Sequence, residues 1–347
     1  MYKNCRVLVT GAGSGVGQGI IKALRLSKLS LTIVSADISP MNAALYIADE
    51  AVIVPKVESS NALELIVQIL REKKIDIVMI GSEFDLRFFS ENKTLIESQT
   101  GAFIVAAPFE TVQIADDKWL TAEFLRQRGL PYAETCLPEG IEDALEIAGD
   151  WGYPIILKTR RGTSSRHVHI IQNKLMLVEM FATVPLPMLQ RVIDIPTHEL
   201  HNEYTCSVFK LPEGGIIGPF TARRTLRGGT SWQVEVAPFE VLDELLLEIG
   251  RSLNFIGSLN IQLMLTKGGP VPFELNARFS GTTAIRAHFG FNEPEMTLLA
   301  YYFRQSISPP TIRSGVAFRY HEEVFINDVL VGDIRPGTHK GHVNPWF

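Results

Sequence analysis

The chain has 347 residues with 33 basic against 38 acidic side chains, a net charge of −5 and a pI near 6.0. At roughly 150 residues per domain this length suggests two domains, and the acidic balance argues against a general nucleic-acid or anionic-membrane binder, whose mark is a basic excess. Hydrophobic residues at 46% supply a sizeable core, no uncharged run is long enough to span a membrane, and the scattered Cys5, Cys136 and Cys206 fit a reduced compartment.

Residues 1–6 lead straight into an apolar strand without a leader pattern, so the expected location is cytoplasmic. Strands are expected at 6–10, 31–35, 51–54, 76–80 and 102–105, with helices at 19–26 and 62–73 between them. Strands alternating with helices imply a parallel sheet covered on both faces, with its functional edge beyond the strands' carboxyl ends. From Pro108 the pattern changes. Helices are expected at 116–128 and 141–149, then a hairpin of 153–158 and 167–171 around the polar tip 159–165. Strands follow at 188–193, 203–209 and 215–220, a helix at 240–253, and a second hairpin of 258–265 and 271–277 around residues 267–269. The polar residues after Gly332 are expected to be loosely held.

Residues 10–17, Thr-Gly-Ala-Gly-Ser-Gly-Val-Gly, join a strand to a helix where a dinucleotide pyrophosphate could rest on the helix N-terminus. Asp37 ends the next strand, where a ribose-binding acid belongs. An NAD(P)-dependent oxidoreductase is therefore one alternative. Against it, none of the eight tyrosines has a lysine four residues on, the pair a short-chain dehydrogenase would need. The other explanation is a tight turn that lets the helix pack closely on the sheet.

A second constellation suits a nucleoside triphosphate, since phosphoryl transfer needs cations around the phosphates, a divalent metal and hard oxygen ligands. In residues 273–278, Phe-Glu-Leu-Asn-Ala-Arg, period-two alternation puts Glu274, Asn276 and Arg278 on one face. A hairpin symmetric about Gly268 sets Gln262 opposite Glu274 on that face. The oxygens of these side chains suit magnesium, and Arg278 could hold the transferred phosphoryl group; a solvent-facing polar strand would show the same alternation. Lys158 closes an apolar run just before Arg160-Arg161-Gly162-Thr163-Ser164-Ser165, a loop whose N–H and hydroxyl groups could close over phosphates. Lys118 stands at a helix start, where a cation calls for an anion or solvent beside it. Residues 188–193 could offer main-chain groups to an adenine edge, and Glu203 could accept from ribose hydroxyls.

In this order the segments resemble the ATP-grasp superfamily, specifically single-chain proteins similar to half of a carbamoyl-phosphate synthase large subunit or to the pyrrolysine-pathway ligase. The resemblance runs over residues 5–303 and includes Asp37-Ile38-Ser39-Pro40 through Val54-Pro55. It implies an α/β protein: a Rossmann-like pre-ATP-grasp domain at 1–107 that normally binds no dinucleotide, an ATP-grasp domain at 108–310 whose two α+β subdomains clasp ATP, with a lid at 138–188, and a C-terminal extension at 311–347. Residue by residue it implies that Lys118 and Lys158 contact phosphates, that Gly162, Thr163, Ser164 and Ser165 form the covering loop, and that Gln190, Arg191 and Ile193 form the adenine linker. Glu203 then binds ribose, Gln262, Glu274 and Asn276 hold metal, and Arg278 joins Lys158 in catalysis. The loop has one glycine where relatives often have more, and residues 221–229 look like a shortened arginine-rich strand and loop.

The resemblance further implies an ATP-dependent carboxylate–amine ligase that uses ATP with Mg2+, or Mn2+, and forms an amide through an acyl phosphate. Its partners would be a small-molecule carboxylate and an amine, an amino acid among them, with no nucleic acid or membrane and with homodimerisation compatible. A non-catalytic ATP-binding protein is a further alternative. Arg223, Arg224, Arg227 and Arg286 are candidate holders of a substrate carboxylate, or else solvated surface arginines. Ser82, Glu83 and Asp85 could receive the amine or cap the next helix. His167 and His169 read as structural.

Overall fold

Alternate residues of the first apolar run go to opposite sides of a sheet. In the computed structural model, which describes residues 3–162, 167–193 and 203–344, β1 (Cys5–Val9) sends Val7 and Val9 to one core and Leu8 to another. The elements α1 (Gly15–Leu26), β2 (Leu31–Asp37), α2 (Ala44–Ile47), β3 (Glu50–Ile53), α3 (Ala62–Glu72), β4 (Ile77–Met79), α4 (Glu83–Thr100) and β5 (Phe103–Val105) complete a five-stranded parallel sheet of order β3-β2-β1-β4-β5. The helix expected from residue 19 begins at Gly15, because the Ser14 hydroxyl accepts from the Gly17 N–H and caps it.

Next come α5 (Phe109–Asp116), α6 (Lys118–Gln127), β6 (Thr135–Cys136), α7 (Ile141–Trp151), β7 (Ile155–Thr159), β8 (Val168–Ile171), α8 (Lys174–Phe181) and β9 (Pro187–Arg191). Strands β6, β9, β7 and β8 form an antiparallel sheet in that order. Ile155 and Leu157 of β7 and Leu189 of β9 pack on α7 and α8 in a core of their own. By alternation Ile156 and Lys158, with their cross-strand partners Gln190 and Met188, occupy the other face.

The rest is built on β10 (Glu203–Lys210), β11 (Ile216–Phe220), β12 (Ala222–Arg227), β13 (Thr230–Val236), α9 (Asp243–Ser252), β14 (Gly257–Thr266), β15 (Gly269–Asn276), α10 (Thr283–His288), α11 (Glu293–Thr297) and β16 (Gly315–Phe318). Its seven-stranded sheet runs β15-β14-β10-β12-β13-β16, with β11 beside β10. Tyr204, Cys206, Val208, Leu259, Ile261, Leu263 and Leu275 share one core with α9, α5 and the parallel sheet's Leu8, Val78 and Ile104. Alternation therefore leaves Glu203, Thr205, Ser207, Asn260, Gln262, Glu274 and Asn276 on the opposite, polar face.

The tail differs from expectation. Ile334 is buried against Leu45, Tyr46 and Ala51, with Val324, Ile326 and Val329 around them. Gly341 N–H donates to the Tyr46 carbonyl, and Lys340 Nζ to those of Ala48 and Asp49. A few apolar residues spaced through a polar stretch are enough to anchor it, and that spacing has no helical or strand period to reveal it.

Candidate functional site

Gln262 pairs directly with Glu274, and Asn260 with Asn276. The reason is not the expected symmetry about Gly268. The turn is the two residues Lys267 and Gly268, since Thr266 pairs with Gly269, and a bulge between Gln262 and Leu263 shifts the register by one so that Glu274 meets Gln262. Glu274 Oε1 accepts from Gln262 Nε2 at 2.9 Å and from Asn276 Nδ2 at 2.9 Å. Gln262 Oε1 accepts from Arg224 Nη2 at 2.7 Å, and Arg224 also donates to Glu203 Oε1 through Nε and Nη2 and to Ser231 Oγ. One carboxylate and two amide oxygens fit a hard divalent cation that also takes phosphate and water oxygens. Among the described residues no cluster of three His, Cys, Asp or Glu side chains competes as a metal site.

Across from this face stands Lys158, which is only 6% exposed. Burial pushes its amine down to about 7, Lys118 works in the same direction, and Glu274 opposes them. The structure thus brings together Lys158, Lys118 and the strand bearing Glu274. Lys118 Nζ donates to the Gly162 carbonyl at 2.9 Å and its main-chain N–H to Arg160. Asp117, one residue before, is the N-cap of α6, accepting from Trp119 and Leu120 N–H, and its carboxylate also holds Arg160 at 2.6 Å. An acid at a helix start is an ordinary cap in sequence; the second task leaves no local signal, because it needs the β7 loop to arrive alongside. Thr163, Ser164 and Ser165 lie outside the described residues.

Gln190 of β9 is buried on the same face of the four-stranded sheet as Lys158 of β7. Arg191 turns outward, paired with Glu134 at 2.6 Å and lying over the Trp151 ring. Ile193 lines a 310 Å³ cavity with Tyr132, Glu134, Arg191 and the Lys267–Gly268 turn.

The expectation for Arg286 changes, and the other arginines and acids have partners of their own. Arg286 is fully buried against Glu293 and is no surface holder of a carboxylate. Arg223 is paired with Glu235 and lies over the Phe239 ring, while Arg227 lies over Trp232. Arg278 meets Glu83 from the start of α4 and donates to the Phe279 carbonyl. Burial pushes Arg278 down to about 10, which leaves it charged at neutral pH. Asp85 is raised to about 6 by burial, against a hydrogen bond from Thr10.

Several donors of the glycine loop are taken up by the protein itself. The Gly13 N–H donates to Asp37 Oδ2 at 2.8 Å, and Ser14 Oγ to the Gly81 carbonyl. A Cβ on Gly17 would stand 2.3 Å from the Gly11 carbonyl oxygen, so the glycine serves close packing of helix on loop. The geometry is that of the tight turn, with Asp37 holding the loop backbone.

Residues 7–103 match the family model described as the PylC-like N-terminal domain. The arginine-specific carbamoyl phosphate synthase large chain of Eremothecium gossypii is 22% identical over 304 residues, covering 80% of this chain and 27% of the relative. The chain thus spans about a quarter of that relative's length. Among solved structures, the biotin carboxylase domain of Hydrogenobacter thermophilus 2-oxoglutarate carboxylase, in complex with MgADP, ADP and bicarbonate, superposes with a TM-score of 0.71 at 16% identity, over 99% of this chain and 83% of that one. N5-carboxyaminoimidazole synthetase from Staphylococcus aureus, complexed with ADP, gives 0.72 at 16% identity, over 98% and 92%. The likeness extends over nearly the whole chain and shows a shared fold.

Proposed function

We propose that this chain, whose fold is the ATP-grasp fold behind a Rossmann-like parallel sheet, is an ATP-dependent ligase that joins a small-molecule carboxylate to an amine through an acyl phosphate. The observation that carries the reading is the buried Lys158, crowded by Lys118 and faced by Glu274. Two cations and one carboxylate converging from two sheets and the start of α6 leave a place for a polyanion that brings its own divalent metal. We assign Lys118 and Lys158 to the phosphates, Gly162 with Thr163, Ser164 and Ser165 to their cover, Gln190, Arg191 and Ile193 to the base, and Glu203 to the ribose. Gln262, Glu274 and Asn276 would hold Mg2+ or Mn2+, and Arg278 the transferred phosphoryl group. We divide the chain at 107 and 310, with a lid at 138–188.

The metal, when bound, neutralises charge on the phosphate oxygens. The chain's own residues position and stabilise: Lys158 gains its full charge as phosphates approach, and Arg278, two residues past β15, supplies a fixed guanidinium. No protein nucleophile is required. An amino acid is the substrate class we favour on one side of the new bond.

The test is an ADP-release screen over amino acids and small carboxylates with product mass. Metal-dependent ADP formation with a matching amide mass is expected, and Glu274→Ala should abolish it with circular dichroism unchanged. Wild-type turnover in that variant at saturating substrate would remove the metal assignment.

A further inference from the structure

Beneath the polar face of the large sheet lies an ion pair that the proposed chemistry does not use. Arg286 near the end of α10 and Glu293 at the start of α11 are both fully inaccessible, with Nη1 at 3.1 Å and 3.4 Å from the two carboxylate oxygens. Glu293 also accepts from the hydroxyls of Ser207 and Ser258. The other arm of the guanidinium, Nη2, donates to Thr205 Oγ1 at 3.2 Å, to the Cys206 carbonyl at 3.3 Å and to Asn260 Oδ1. Removing two charges from water is costly, and an apolar pair of similar volume is often as stable. The pair is therefore weak evidence of a stabilising role.

The strand register shows what the pair reaches. Asn260 lies directly opposite Asn276, and Thr205 directly opposite Gln262. Asn260 Oδ1 accepts from Arg286 and from Thr205 Oγ1 at 3.1 Å. Arginine can only donate, so the amide is fixed with its oxygen toward Arg286 and its Nδ2 turned away. Asn260 is 2% exposed, and its Nδ2 donates to nothing among the described residues. We propose that Arg286, anchored by Glu293, is a positioning residue that locks Asn260 with its N–H donors directed to the neighbourhood of Asn276, where an anionic oxygen of the metal-bound phosphate or the substrate would accept them. This inference rests on the ligase reading of the same face.

The pair can be removed without leaving a buried charge. In Arg286→Met with Glu293→Leu, Ser207 Oγ keeps the Leu259 carbonyl at 3.1 Å and Ser258 Oγ that of Arg278 at 3.4 Å. Arg286→Lys keeps the charge for Glu293 and loses the fork that reaches Asn260 as well. Mn2+ binding is titrated in the presence of ADP by loss of the free-ion electron paramagnetic resonance signal, and turnover is measured in parallel. In the folded variants both Mn2+ affinity and turnover should fall roughly 10- to 100-fold, the range for partners one layer outside a metal. Asn260→Leu should give the same loss, and combining it with Arg286→Lys should add nothing. Wild-type affinity and turnover in any folded Arg286 variant would overturn the proposal, as would losses that simply add. Absence of Mn–ADP binding to the wild-type chain would instead defeat the ligase reading itself.

Discussion

Lys158 is the residue where function and stability pull apart. A lysine ordinarily ionises near 10.4, and burial holds this one at about 7. The unfolded chain therefore binds a proton that the folded chain binds less well, so this residue costs stability between pH 10 and pH 7, and the cost grows as pH falls through that window. Lys158→Met should raise the thermal midpoint at pH 7, by the equivalent of about 1 kcal/mol, with the gain vanishing near pH 10, while ADP affinity collapses. In the wild-type chain phosphates would draw a proton onto the amine. ADP affinity should be flat below pH 7 on this residue's account and weaken up to tenfold per pH unit above it, with proton uptake visible as a buffer-dependent heat of binding. Pairing that is independent of pH from 6 to 9 would mean that Lys158 does not face the phosphates.

At the scale of elements, Asp117 joins α6 to the loop after β7. It caps the helix, and it also holds Arg160. Asp117→Asn keeps the cap oxygen and loses the charge pair; Asp117→Ala loses both. The alanine variant should lose about 1–2 kcal/mol more than the asparagine variant in urea unfolding, the ordinary worth of a cap. Equal losses would show that the cap contributes nothing. Local rules made such pieces readable: alternation in residues 273–278 gave the shared face of Glu274 and Asn276, and the apolar run ending at Lys158 gave β7. What lay beyond reading depended on contacts between distant strands. The Arg224 bridge from Glu203 to Gln262 spans β12, β10 and β14, and the bulge that sets Glu274 opposite Gln262 leaves no mark in composition. Arg286 misled because charge alone suggests a surface, and its partner Glu293 lies across a turn.

For the molecule as a whole, the parallel sheet and the seven-stranded sheet share a continuous core, whereas the four-stranded sheet has one of its own. The first two should unfold together, and amides of β7 and β9 should exchange by a separate, lower-energy opening. The tail is tied to residues 45–51 beside the parallel sheet through Ile334, Lys340 and Gly341. Removing residues 321–347 should expose Leu45, Tyr46 and Ala51, lower the thermal midpoint by a few degrees and leave ADP affinity within about twofold. An unchanged midpoint would show the tail to be a passive passenger.

Arg224 has one more implication. As long as its guanidinium sits on the Gln262 oxygen, a lone dication arriving there meets a like charge, and the seat is taken. On the proposed function, an incoming polyphosphate would change the sign of that neighbourhood and give the arginine somewhere else to turn. Loading should therefore be joint, with nucleotide and metal entering as a pair and the bare ion held only weakly.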